Sequence, residues 1–104
     1  AIITATQSGY TARMVAKYRP RVPIVACTPQ EQVARRLRLV WGVIPLVIAD
    51  RRTTDGLIEE AIRQTLRAGI VREGDLVVIT AGVPAGVPGS TNLLKVHRVG
   101  PAGA

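Results

Sequence analysis

The chain has 104 residues, 47% of them hydrophobic, with one cysteine and no Phe, which confines it to a single domain with an aliphatic core and excludes a two-domain enzyme. Lys and Arg number 14 against 7 Asp and Glu, giving a net charge of +7, yet the hydrophobic content is too high for a disordered polycation. One cysteine makes no internal disulfide and no Cys/His spacing suits zinc, so disulfide scaffolds and structural metal sites are excluded and a reducing, cytoplasmic setting fits.

Short apolar runs alternate with amphipathic segments, which predicts strands alternating with helices and therefore an α/β fold with a largely parallel sheet. The first strand is residues 1–5, with no initiator Met and no lead-in, as expected of a piece of a longer polypeptide. Helix one follows over about 9–18 and stops at Arg19-Pro20, because the residue before proline is pushed out of the helical region. Strand two is 22–27, an apolar run ending at Cys27, which reads as a buried, inert thiol. Helix two should begin at Pro29 behind a Thr28 cap and carry Val33, Ala34, Leu37 and Val40 on one stripe.

Trp41 precedes Gly42 at the entry to strand three, 43–48, and is expected in the core. Helix three should be capped by Thr54, with Leu57, Ile58, Ala61, Ile62 and Leu66 at helical spacing, an ion pair between Glu59 and Arg63, and Gly69 as its stop. Strand four is 75–81. The stretch from Gly82 to Ser90 is too short for a helical crossover, so strand five, 92–99, should run antiparallel to strand four. Strands two to four are near-continuous apolar runs, as strands covered on both faces should be. The longest uncharged run, Leu39 to Ala49, falls well short of the roughly 18 residues of a membrane helix, and no signal-peptide pattern is present.

In an open α/β sheet, ligands bind at the carboxyl ends of the strands where the winding reverses. If strands two and three lie on one side of strand one and strand four on the other, the loops meeting there are 6–11 and 82–91, the two richest in Gly, Ser and Thr. The first enters a helix, whose free N–H groups and positive dipole end suit a phosphate; Thr6, Gln7, Ser8, Gly9 and Thr11 would surround it. On their own, Thr6 or Ser8 read equally as ordinary helix caps. Gly82, Gly89, Ser90 and Thr91 would close the second loop over the same spot, and Arg51 or Arg52 either contact a second anion or are solvated loop charges.

The segments Thr6-Gln7-Ser8-Gly9-Tyr10-Thr11-Ala12, Tyr18-Arg19-Pro20, Pro23-Ile24-Val25-Ala26, 74–84 and Gly89-Ser90-Thr91-Asn92 together resemble the C-terminal domain of pyruvate kinase, most closely its Gram-positive bacterial forms. The resemblance implies a three-layer, five-stranded mixed sheet of order 3-2-1-4-5 with strand five antiparallel, and one effector-binding domain over 1–104 with the catalytic barrel and leading helices absent. It implies binding of an allosteric sugar phosphate or nucleotide monophosphate, contacts with the remainder of the enzyme, and a share in homo-oligomer assembly. AMP or ribose 5-phosphate is expected rather than fructose 1,6-bisphosphate, since Gln7 stands where responsive eukaryotic members often have lysine. The family's catalytic lysine and its magnesium and potassium sites lie on the barrel; this chain is expected to hold no catalytic residue, cofactor or metal.

Asp50, Asp55, Glu59, Glu60 and Glu73 make no acidic cluster at the expected crevice, and His97 reads as a surface or interface histidine. The arginines are spread over three helices, and none of Tyr10, Tyr18 and Trp41 falls on a predicted strand, so specific nucleic-acid binding is not expected. A membrane partner is not expected either. The crossovers should leave an apolar patch exposed on the side of helix three. A structural, subunit-contact domain with a vestigial crevice is the alternative to an effector-binding one.

Overall fold

The computed structural model describes residues 1–6, 9–49, 53–81 and 93–100. Their elements run β1 (Ile2–Ala5), α1 (Tyr10–Lys17), β2 (Ile24–Thr28), α2 (Glu31–Leu37), β3 (Val43–Val47), α3 (Thr54–Arg67), β4 (Leu76–Ala81) and β5 (Leu93–Arg98). The sheet order is β3-β2-β1-β4-β5, parallel throughout except for the antiparallel β4–β5 pair. This is the expected α/β architecture. β1 is hydrogen-bonded on both sides, with Ile3 facing Val25 on one neighbour and Ile79 on the other.

Side chains alternate across the pleat, so the sheet carries two separate packing surfaces. One holds Ile3, Ala5, Val25, Cys27, Val77, Ile79 and Ala81, closed by Leu57, Ile58 and Ala61 of α3. The other packs Ala26 and Val43 against Ala12 of α1 and Val33 and Leu37 of α2. Helices one and two thus share a face and α3 covers the opposite one, the arrangement that right-handed crossovers in two directions require.

The apolar patch lies on the other side from the one expected. Leu76, Leu94 and Val96 are all more than half exposed. The register puts Leu94 opposite Thr80 and Val96 opposite Val78, on the pleat shared with α1 and α2 rather than with α3. Both crossovers that place α1 and α2 travel toward β3, so the β4–β5 half of that face receives no helix from the described residues. On the other face α3 has help from Val71 and Val99, both buried, which close the core beside β4.

Several local expectations are corrected. α2 begins at Glu31 with Gln30 as its N-cap, not at Pro29 behind a Thr28 cap. Thr28 is retained by the sheet as the last residue of β2, where its carbonyl accepts from the Ile48 amide (3.0 Å) and its Oγ1 accepts from the Gln30 amide (3.1 Å). Val40 lies past the end of α2 but still packs against its cluster. α3 is capped by Thr53, whose Oγ1 accepts from the Gly56 amide at 3.0 Å, and Thr54 is its first residue.

Arg63 pairs with Glu60 at 2.7 Å, three residues back, and not with Glu59. Glu60 is buried, so its carboxylate must be met locally; Gln64 also donates to it at 2.9 Å. β3, an edge strand, is only partly covered, with Ile44 and Val47 exposed, so its apolar run does not signal burial on both faces. Trp41 is 59% exposed rather than in the core, with the Arg19 guanidinium 5.0 Å from its ring centroid.

Candidate functional site

The winding reverses between β1 and β4, and the chain passes from the carboxyl end of β1 to the start of α1. Thr6 continues the β1–β2 ladder by one bond, its amide donating to the Cys27 carbonyl at 2.9 Å. Its Oγ1 then accepts from the Gly9 amide, also at 2.9 Å. That hydrogen bond ties the end of β1 to the start of α1. Thr6 is thus not the N-cap of α1: its hydroxyl accepts from the amide of Gly9, the residue that is.

Gly9 is the N-cap of α1 at φ +83°, in the left-handed region that only glycine enters without cost. A Cβ there would stand 3.1 Å from Leu37 Cδ2 and 3.3 Å from Cδ1. The close approach that requires glycine at this position is thus to the Leu37 side chain of α2. As a glycine N-cap, Gly9 offers α1 no side-chain hydrogen bond, and the first turn of the helix has no acidic residue, whereas Glu31 and Asp55 occupy the first turns of α2 and α3. The positive dipole end of α1 is the one left without a carboxylate of its own helix.

Buried threonines gather at the carboxyl ends of the three central strands: Thr4 and Thr6 at β1, Thr28 at β2 and Thr80 at β4. Thr4 and Thr80 are register partners. Thr4 Oγ1 donates to the Val25 carbonyl at 3.4 Å, while Thr80 Oγ1 is buried with no hydrogen-bond partner among the described residues. Thr80 was not anticipated from sequence; the signal was a threonine one residue before the end of an otherwise aliphatic strand. An unpaired buried hydroxyl costs on the order of 1 kcal/mol, so Thr80→Val should raise the unfolding free energy by about that amount, read from the urea midpoint.

Of the residues expected to hold a phosphate, Thr6, Gly9 and Thr11 are brought together at this strand-to-helix junction. Gln7, Ser8, Gly82, Gly89, Ser90, Thr91, Arg51 and Arg52 lie outside the described residues. Cys27 belongs to the other face, its Sγ 3.9 Å from both the Ala61 carbonyl and Thr65 Oγ1. Burial pushes its thiol from 9.0 up to about 12, against a smaller lowering by the Thr65 hydrogen bond. His97 sits on β5 opposite Val77, away from the junction. Among the described residues no group of three or more His, Cys, Asp and Glu could hold a metal ion.

Comparison with known proteins agrees with the geometry. The family model described as pyruvate kinase, alpha/beta domain, matches residues 1–97. The chain is 57% identical over 99 residues to a pyruvate kinase of Geobacillus stearothermophilus, and 54% identical over 99 residues to one of Clostridium acetobutylicum. A pyruvate kinase of Staphylococcus epidermidis is 51% identical over 100 residues. These alignments cover 95–96% of the chain but only 17–21% of the relatives, so the chain spans about a fifth of the length of the curated proteins it matches. With the family's sheet order, its antiparallel last strand and a match over nearly the whole chain, the protein belongs to the pyruvate kinase α/β-domain family.

Proposed function

We propose that the chain is the regulatory domain of a cytoplasmic pyruvate kinase, the glycolytic phosphotransferase that converts phosphoenolpyruvate and ADP to pyruvate and ATP. In this reading it does no chemistry itself. It binds a phosphorylated effector, a nucleotide monophosphate or sugar phosphate, between loops 6–11 and 82–91. The observation that carries the proposal is the start of α1 at the reversal of the sheet, joined to β1 by the Thr6–Gly9 hydrogen bond and without an acidic residue in its first turn. Magnesium and potassium would serve the catalytic barrel of the remaining chain.

Calorimetric titration with AMP, ribose 5-phosphate and fructose 1,6-bisphosphate tests it. Saturable heat with one of the first two, lost in Ser8→Ala, is the expected result. A second reading, a subunit-contact domain with a vestigial crevice, is favoured by the exposed Leu76, Leu94 and Val96 on β4 and the edge strand β5. Absence of heat with all three ligands, together with self-association in sedimentation, would select that reading instead.

A further inference from the structure

A groove of about 280 Å³ between α1 and the residues that follow α2 is lined by Arg13, Ala16, Lys17, Arg19, Val40 and Trp41. Arg13 and Lys17 are one helical turn apart, which places them on the same side of α1. The ion pairs Arg35–Glu31 and Arg63–Glu60 involve none of the three groove cations, and no acidic residue lines the groove. Its floor is apolar and its rim cationic.

Arg19 is, among the described residues, the one non-glycine at positive φ, +45°. It follows the C-cap of α1, where glycine is the usual residue, and its amide donates to the Ala16 carbonyl at 3.0 Å. An arginine there gives up backbone free energy, and in return its guanidinium stands over Trp41. Beside these two in the chain, Tyr18 is 83% and Leu39 91% exposed. Tryptophan, tyrosine and arginine are the residues that dominate protein interface energetics, and here they are presented outward together.

We infer that this surface docks an acidic segment of a partner protein, its carboxylates on Arg13, Lys17 and Arg19 and an apolar side chain between Val40 and Trp41. The open groove and the flanking Tyr18 and Leu39 exceed what a small anion covers. The aliphatic floor and the arginine already stacked on the indole favour a peptide over a nucleic acid, whose bases need bare aromatic faces.

Trp41 is the only tryptophan, so its emission reports occupancy directly. The 104-residue chain is titrated with a short peptide of alternating Glu and Leu, with the Lys-for-Glu counterpart, and with a single-stranded oligonucleotide. A saturable emission change with the acidic peptide, weakened by salt, is expected. Arg13→Glu and Lys17→Glu should each weaken it roughly tenfold or more, and Arg67→Glu on α3 should not. Arg19→Gly also weakens it while keeping the fold, because glycine suits a positive φ. No saturable change, equal weakening by Arg67→Glu, or tighter binding of the oligonucleotide would each overturn the assignment.

Discussion

Leu37→Ala should lower the unfolding free energy by about 3 kcal/mol, the middle of the range for truncating a buried leucine, measured from the urea midpoint. Leu37 has no exposed surface, and it joins α2 to Ala12 and Ala26 while lying under Gly9. Gly9→Ala should cost about 2 kcal/mol, made up of about 1–2 for the left-handed backbone and the remainder for the crowded contact with Leu37. Combining the two changes removes that contact. The double variant should therefore lose less than the sum of the singles, leaving mainly the backbone cost of alanine at position 9. Strict additivity would show that Leu37 does not limit the space at position 9.

The second large effect is in alkali. Below pH 9.0 the Cys27 thiol keeps its proton whether the chain is folded or not. Above that the unfolded chain releases the proton while the folded chain, with its thiol pushed up to about 12, retains it. The folded state binds more protons across this window, so its stability falls as pH rises, by up to about 1.4 kcal/mol per pH unit. Below the window the term is constant. Denaturant midpoints from pH 8 to 11 should show the decline in the native chain and a shallower one in Cys27→Ala. The same burial should slow modification of the folded chain by a thiol reagent about 1000-fold or more relative to the unfolded chain, through loss of thiolate and of access. Equal alkaline slopes in both proteins would mean that Cys27 is not the group responsible.

How far the fold was legible depended on where each residue's determinant lies. Strand and helix order followed from local hydrophobic period, and the antiparallel β5 from the length of the connection before it. Thr28 shows where local signals stop: as a threonine before Pro29 it has the look of a helix cap, but pairing with Val47 and Ile48 holds it in β2. Glu60 rather than Glu59 meets Arg63 because the helix is rotated toward the core by its packing, a tertiary fact. Trp41 reads as core by composition, yet it lies where the chain enters an edge strand, more than half exposed with Arg19 over its ring. At the site, Gly9 was visible as a necessary glycine, while the reason for it, Leu37 of α2, is 28 positions away in the chain. The orphaned Thr80 hydroxyl could be found only once its surroundings were known.

The position of β1 has a consequence for the order of assembly. This strand is among the first residues of the chain and is also the middle strand of the sheet, and its second partner is β4, with Ile2 paired to Val78. Ribosomal synthesis therefore makes β1 before β4 and must deliver α1 through α3 between them before the centre can be closed. Until then the β4 side of β1 is an open edge, and β1-α1-β2-α2-β3 is a half-sheet with one flank unsealed. Closing so long a loop is an entropic step that local helix formation cannot replace. The domain should consequently acquire its stability late and all at once, when β4 arrives beside the strand that has waited for it.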